Sequence, residues 1–413
     1  MSAINSVRSF HPLIGSSIKR RIVPRKSNVT PTISSFLCIS SGGRISTREN
    51  NPHTTIHWRL FSSPSEENNN KSSSGKKKIV FLGTPDVAAT SLRKLYEASV
   101  QQNYEISCVI TQPPKPRKRK STPEPSPVAK VAEELGLQVL CPEKAKDTDF
   151  LDQLQYDIRP DLCITAAYGQ YLPKRFLSTP TLGTVNIHPS LLPRWRGASP
   201  VQRSLEAGDN PVGVSVLYTV SKMDAGPIIA QQEKIIDEND TATKVLPLLF
   251  DIGTDLLLQN LPAILAGKIT MDTAKVQDET NVVQAAMIDS AEAELKPWEE
   301  SARQMHNRLR GFSMWPGAFL YLQVGEESEP TKFKILETRV LEKADDDTPH
   351  VTDQVTPGPN RKDGLRLVSF DGSILEILKL QPATKKPVDA LSFINGLQGR
   401  TVRYVRTPEA ITA

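Results

Sequence analysis

Cysteine is scarce in this chain of 413 residues, which contains four of them, at positions 38, 108, 141 and 163. They lie far apart and form no C-x-x-C pair, so the sequence encodes neither a disulfide framework nor a zinc site. Long apolar runs are also missing, because stretches such as Ile79 to Leu82 are far shorter than the roughly 20 residues of a membrane helix. The sequence therefore predicts a soluble globular protein without a membrane span or a metal, suited to a reducing compartment.

Acidic residues are absent from the first 48 positions, which contain eight Lys or Arg and many Ser. An Arg-rich, Ser-rich and acid-poor N-terminus is typical of an organellar transit peptide. The segment RLFSS, residues 59–63, resembles a mitochondrial processing site. Residues 1–75 are therefore predicted to be a transit peptide and disordered leader for the mitochondrial matrix. A plastid address and a non-targeting disordered tail are the alternatives.

The charge of the remaining chain is nearly balanced. Residues 1–75 contain ten basic and three acidic residues, which leaves 41 basic and 43 acidic residues in the body. Attraction to a polyanion would therefore depend on local patches. The densest basic patch is the segment KPRKRK, residues 115–120.

From Lys76 onward, apolar strands alternate with amphipathic helices. After a strand–turn–helix unit at 76–99, strands are predicted at 104–111, 138–140, 161–165, 184–188 and 212–218. Helices are predicted at 126–136, 199–208 and 241–265, the first with a Ser cap, Pro at the first helical position and Gly at its end. This alternation indicates an α/β fold with a Rossmann-like, mostly parallel sheet and helices on both of its faces. Ligands bind such sheets beyond the carboxyl ends of the strands.

The pattern changes after residue 269, where the α/β domain (76–269) is predicted to end. Residues 270–295 are irregular and acidic and indicate a linker. Residues 296–413 contain one helix, at 301–312, and short strands at 318–324, 332–341, 365–370, 374–380 and 401–405. Several short strands separated by Gly, Pro and Asp predict a small C-terminal β-barrel, similar to an OB fold.

His188 is the histidine best placed for chemistry. It stands at a predicted strand end in the segment NIHPSLLPRWRG, and Asn186, two residues earlier, points to the same side of the strand. Asp224 follows a later strand in a Gly-containing turn, where it could tune the histidine. Asn, His and Asp together supply donors for a developing oxyanion and a group that handles a proton. The alternative is that His188 is a hydrogen-bonded structural residue.

Several segments of the chain resemble the methionyl-tRNA formyltransferase family. They are FLGTPDVAA, VITQP, PSPV, AAYGQYLP and NIHPSLLPRWRGASPVQRSLEAGDNPVGVSV, in order between residues 78 and 266, with looser matches at QDET, RGFSMWPGAF and LQPATKKP. The resemblance implies transfer of a formyl group from 10-formyltetrahydrofolate to initiator methionyl-tRNA by a monomeric enzyme without a metal. One departure is Lys222-Met223 before Asp224, where many members have Gly-Leu.

The resemblance also implies roles for individual residues. Asn186 and a protonated His188 would hold the oxyanion, while Asp224 would keep His188 charged and help to remove the amine proton. The folate-binding corner corresponds to Ser190, Leu191, Leu192 and Pro193. The family's tRNA-facing insertion falls on the basic patch, with Lys115, Arg117, Lys118, Arg119 and Lys120 as phosphate contacts. A solvated basic loop or a localisation signal is the alternative for this patch, and the barrel is expected to hold the tRNA.

Three other functions remain as alternatives. Glycinamide ribonucleotide formyltransferase shares NIHPS, but needs neither the basic patch nor a second domain. A sugar-nucleotide formyltransferase shares LLP, RG and DAG, but predicts neither the basic patch nor the leader. A non-catalytic RNA-binding protein on this scaffold would be favoured by loss of Asn186, His188 or Asp224, all of which are present.

Overall fold

A computed structural model of the chain describes residues 75–116, 122–341 and 352–406. The predicted leader, apart from its last residue, lies outside the described residues. So do Arg117, Lys118, Arg119 and Lys120 of the basic patch. The predictions made for these segments therefore rest on the sequence alone.

The α/β part of the chain holds the first eleven described strands and six helices. The strands are β1 (Lys77–Gly83), β2 (Tyr104–Ile110), β3 (Lys115–Pro116), β4 (Pro123–Glu124), β5 (Val139–Leu140), β6 (Leu162–Ala166), β7 (Thr184–His188), β8 (Arg194–Gly197), β9 (Val212–Tyr218), β10 (Ile228–Lys234) and β11 (Val283–Ala285). The helices are α1 (Asp86–Ser99), α2 (Pro127–Glu134), α3 (Thr148–Asp152), α4 (Lys174–Leu177), α5 (Pro200–Ala207) and α6 (Ala242–Leu265). A π-helix (Gln153–Ile158) follows α3, and 3-10 helices lie at Glu279–Asn281 and Ser290–Ala293.

The central sheet has seven strands in the order β10-β9-β7-β6-β1-β2-β5. The five from β5 to β7 are mutually parallel, β9 runs antiparallel to β7, and β10 runs antiparallel to β9. Successive residues of β1 face opposite sides, as strand geometry requires. Ile79 and Phe81 join the core formed with α1 and α6, whereas Val80 and Leu82 join the core formed with α3 and α4. The predicted mostly parallel sheet with helices on both faces is confirmed.

Helix α6 is unusually apolar. By length and composition alone, it is the one helix of the described residues that could cross a membrane. In this fold its buried residues, including Leu249, Leu257 and Leu261, belong to the core cluster that covers one face of the sheet. A buried hydroxyl pair, Ser91 Oγ and Thr254 Oγ1 at 2.8 Å, links it to α1. The apolar residues of α6 therefore supply a large part of this core.

The predicted helix ends agree with the structure where the capping chemistry is specific. Ser126 Oγ accepts a hydrogen bond from the Ala129 amide at 3.0 Å, and Pro127 is the first residue of α2. Helix α5 ends at Gly208, which has the left-handed φ of 81° typical of a helix C-terminus. Strand β10 was missing from the prediction because most of it is polar and exposed, as an edge strand can be.

The C-terminal part forms a nearly closed antiparallel barrel. After α7 (Ala302–Gly311) come β12 (Ala318–Val324), β13 (Thr331–Leu341), β14 (Val355–Pro357), β15 (Leu365–Val368), β16 (Ile374–Pro382), β17 (Val388–Asp389), α8 (Ala390–Leu397) and β18 (Val402–Tyr404). Their order is β14-β15-β16-β13-β12-β18, and β17 pairs with β16. A bridge between Gln354 and Arg403 joins the two edges. The predicted OB-like barrel is confirmed, although β14, β17 and α8 were not predicted.

Candidate active site

Asn186 and His188 lie at the carboxyl end of β7, where the parallel part of the sheet meets antiparallel β9. Because they are two residues apart on a strand, their side chains project from the same face. Thr165, the neighbour of Asn186 on β6, donates its hydroxyl to Asn186 Oδ1 at 2.8 Å. Asn186 Nδ2 donates no hydrogen bond to any of the described residues. The amide therefore has a fixed orientation and a donor that is available to a ligand.

The two ring nitrogens of His188 have different surroundings. Nε2 lies 2.9 Å from the carbonyl oxygen of Trp195, and since a carbonyl can only accept, Nε2 carries a proton. Nδ1 lies 3.7 Å from Asp224 Oδ1, which is beyond hydrogen-bond distance. The side chain is 5% exposed. Nδ1 is therefore the nitrogen that can act on a ligand, and the Asp224 carboxylate lies beside it.

Asp224 lies in a turn within the loop that joins β9 to β10. Its φ of 49° is left-handed, which is uncommon outside glycine and requires support from the surroundings. Its carboxylate Oδ2 accepts a hydrogen bond from the Gly197 amide at 2.9 Å, and its carbonyl oxygen accepts one from Gln277 Nε2 at 2.8 Å. Two residues later, a Cβ on Gly226 would approach Tyr218 O to 1.7 Å, so this turn packs closely against β9. The structure thus brings Asp224 next to His188 and holds it there from several directions.

The corner at 190–193 is fixed against β9 and β10. Ser215 Oγ donates to the Ser190 carbonyl at 2.6 Å and accepts the Leu192 amide at 3.1 Å. Gln231 Nε2 donates to the Leu192 carbonyl at 2.9 Å and to Ser215 Oγ at 2.8 Å. Leu192 is buried beside side chains of β9 and β10, whereas Leu191 and Pro193 stay partly exposed. The corner is therefore rigid and offers apolar surface next to His188.

Asp209, at the end of α5, fixes the residues that follow this corner. Its carboxylate accepts Arg194 Nε and Nη2 at 3.1 and 2.9 Å, Trp195 Nε1 at 2.6 Å and Ser204 Oγ at 2.9 Å. Burial alone raises the pKa of Asp209, but the hydrogen bonds from Arg194, Trp195 and Ser204 hold that pKa below its usual value. The Trp195 carbonyl accepts a hydrogen bond from His188 Nε2. By fixing Trp195, the Asp209 carboxylate therefore also orients the imidazole ring.

No pattern in the sequence predicts a role for Thr165, Asp209, Gln231 or Gln277. Each reaches the site from another element, and the contacts with Gln277 span as many as 81 positions. Gln277 is the first residue of QDET, a segment that resembles the family, and this resemblance is the one signal for Gln277 in the sequence. A single sequence shows which segments are similar to a family but not which of their side chains meet.

The basic patch is only partly described. Lys115 is exposed and donates to Gln112 Oε1 at 2.6 Å, and Gln112 Nε2 donates to the Tyr168 carbonyl at 3.0 Å. Lys115 and Pro116 form β3, which pairs with β4 at Pro123–Glu124. The short ribbon leads into and out of residues 117–121. In the parts of the chain that the structure covers, no group of three His, Cys, Asp or Glu side chains is placed to hold a metal ion.

Comparison with known proteins matches both parts of the chain. Residues 77–261 match the Formyl transferase family, and residues 287–398 match the Formyl transferase C-terminal domain family. The chain is 36% identical over 318 residues to methionyl-tRNA formyltransferase of Lysinibacillus sphaericus, covering 77% of this chain and 95% of that protein. It is 38% identical over 321 residues to methionyl-tRNA formyltransferase of Listeria innocua, covering 77% and 95%.

Among solved structures, the fold is similar to an N-formyltransferase from Helicobacter canadensis that was crystallised with folinic acid and dTDP-3-aminofucose. The TM-score is 0.52 at 15% identity, over 74% of this chain and 99% of the other. At this identity the likeness extends to the fold alone.

Proposed function

The chain belongs to the methionyl-tRNA formyltransferase family, and on this premise we propose that it transfers the formyl group of 10-formyltetrahydrofolate to the amino group of initiator methionyl-tRNA. The observation that carries the proposal is the pair of groups at the end of β7. Asn186 Nδ2 and His188 Nδ1 are both available on one face, and Asp224 lies beside the histidine. An acyl transfer that passes through an oxyanion needs this combination of donors and a nearby carboxylate.

In the proposed mechanism the methionyl amine attacks the formyl carbon, and the formyl oxygen becomes negatively charged. Asn186 Nδ2 and a protonated His188 Nδ1 donate hydrogen bonds to this oxygen. Nδ1 is the nitrogen of His188 that does so, because Nε2 already donates to the Trp195 carbonyl. The amine nitrogen loses one proton, which passes towards Asp224 through water. The bond between the formyl carbon and N10 of the folate then breaks, its electron pair stays on N10, and N10 takes up a proton. The products are N-formylmethionyl-tRNA and tetrahydrofolate.

The two substrates are assigned to different surfaces. The corner of Ser190, Leu191, Leu192 and Pro193 would receive the folate, because it is rigid, partly apolar and next to His188. The basic patch, from Lys115 through Arg117, Lys118, Arg119 and Lys120, would contact phosphates of the tRNA acceptor stem. In this assignment residues 76–269 form the catalytic domain, 270–295 connect it to the barrel, and 296–413 form a tRNA-binding domain.

The test is an incubation of the full-length chain with 10-formyltetrahydrofolate and charged initiator tRNA, followed by analysis for N-formylmethionine. We expect the formylated product in this reaction. Glycinamide ribonucleotide and a dTDP-amino sugar serve as competing acceptors, and neither should be formylated. Formylation of either acceptor at a rate above that of methionyl-tRNA would contradict the proposal.

We further propose that the enzyme works in the mitochondrial matrix, with a plastid as the alternative. Residues 1–62 fused to a fluorescent reporter should enter mitochondria, since a basic leader whose first 48 residues contain no Asp or Glu is typical of that import route. Replacing Lys19, Arg20 and Arg21 by Glu should leave the reporter in the cytosol, as a control for charge. A wild-type fusion that stays in the cytosol would refute the leader, and import into plastids alone would correct the destination.

A further inference from the structure

Gln277 lies 53 residues beyond Asp224 in the sequence, yet its side chain ends at the Asp224 turn. It is buried, and its Nε2 donates to the carbonyl oxygens of Asp224 and Gly226 at 2.8 and 2.7 Å. Its Oε1 accepts Nε and Nη2 of Arg196 at 3.0 and 2.8 Å. Both donors and the acceptor of this amide are therefore used inside the protein, and the two donors hold the backbone on either side of Ala225.

Glu279 strengthens the same connection from two residues away. Its carboxylate forms ion pairs with Arg196 Nη1 at 2.9 Å and with Lys222 Nζ at 2.6 Å. Arg196 lies on β8 and is buried, whereas Lys222 lies two residues before Asp224. The segment that contains Gln277 and Glu279 is thus tied both to β8 and to the turn.

The next residues hold the other side of Asp224. Strand β11 pairs in parallel with β8, and a Cβ on Gly197 would come within 2.5 Å of the Ala285 carbonyl oxygen, so the two strands approach closely there. The Gly197 amide in turn donates to Asp224 Oδ2 at 2.9 Å. Residues 277–285 therefore support Asp224 in two ways. Gln277 holds its backbone, and β11 holds Gly197, whose amide donates to its carboxylate.

We infer that Gln277 is a positioning residue for Asp224, and that residues 277–285 complete the active site although they lie beyond the helix that closes the α/β sheet. The inference rests on the proposed function, in which Asp224 acts on His188. Asp224 has a left-handed backbone, which persists only where its surroundings impose it. Without the Gln277 donors, the carbonyls of Asp224 and Gly226 lose these partners, the turn relaxes, and the carboxylate moves away from His188.

Two variants separate positioning from packing. Gln277→Ala removes all four hydrogen bonds, whereas Gln277→Glu keeps an acceptor for Arg196 and replaces the donor by an oxygen that repels the carbonyls of Asp224 and Gly226. Both should lower kcat by about 10- to 100-fold, because misplacement of a reacting group by about 1 Å can cost that much. KM for each substrate should change by less than about threefold, and the pH dependence of kcat should change as Asp224 leaves His188.

The matched control is Gln101→Ala, the same substitution at an exposed residue in the turn after α1, outside residues 277–285. It should leave kcat, KM and Tm unchanged. If Gln277→Glu has the same kcat as the wild type, the hydrogen bonds to Arg196 are sufficient for activity and the positioning role is wrong. The positioning role would also be wrong if both variants had a lower Tm and lost activity only because less of the protein was folded.

A structural measurement decides the matter independently of formylation. Crystal structures of the wild type and Gln277→Glu would give the distances from Asp224 to the Gly197 amide and to His188 Nδ1. We expect both distances to lengthen in the variant. An unmoved Asp224 would overturn the inference, whereas a displaced Asp224 in a protein that does not formylate methionyl-tRNA would support the inference and refute the proposed function.

Discussion

Replacing His188 by Ala is expected to lower the rate of formyl transfer by about 100- to 1,000-fold, the usual cost of removing one oxyanion donor. The loss should appear in kcat with little change in KM, because the donor acts on charge that develops in the transition state. His188 makes one hydrogen bond to a backbone carbonyl, and the cores on both faces of the sheet do not depend on it. We therefore expect the variant to fold. The measurement is steady-state formylation over a range of folate and methionyl-tRNA concentrations, which gives kcat and KM separately.

His306→Ala is the matched control, since His306 is also a buried, hydrogen-bonded histidine. It bonds to Thr338 Oγ1 and to the Glu238 carbonyl and lies on α7, outside the proposed site. This control should lower Tm and leave kcat within about twofold at a temperature well below unfolding. Asn186→Ala and Asp224→Ala should each lower kcat as His188→Ala does. Near-normal turnover in any of the three would remove that residue from the mechanism.

Replacing Arg117, Lys118 and Arg119 by Ala should weaken tRNA binding and flatten its salt dependence. Each phosphate contact contributes close to one unit to the slope of log affinity against log salt, so the slope should fall by about three for three contacts. The body of the protein is nearly neutral, so little non-specific attraction remains to compensate. Affinity measured at several salt concentrations tests this.

Folate affinity, measured in parallel, should not change in this triple variant. The corner that is proposed to bind folate is fixed by Ser215 and Gln231, and neither belongs to the basic patch. Replacing Lys144, Lys146 and Lys268 by Ala, at three exposed positions elsewhere, controls for the change in net charge. An unchanged slope in the patch variant, an equal fall in the control, or an equal loss of folate binding would refute this division between the two substrates.

Much of the fold could be predicted from local signals in the sequence. Strands β7 and β9 have the predicted bounds, because β9 is a nearly continuous apolar run and β7 alternates the apolar Val185 and Ile187 with polar residues. Helix α2 begins where Ser126 and Pro127 predicted, since a cap and a Pro act within a few residues of their own position. Polar or very short elements, such as β8, β10 and β11, give no such signal.

The sequence by itself determined the alternation of strands and helices, the change to a second, barrel-like part, and the placement of Asn186 and His188 on one face of a strand. These features follow from periodicity and capping, which act over a few residues. Only the tertiary structure decided which distant groups meet at the site. Thr165 donates a hydrogen bond to Asn186, Asp224 lies beside His188, and Gln277 donates to the backbone of the Asp224 turn. Such contacts depend on strand order, register and the packing of residues 277–285 against β8, and no local pattern encodes these.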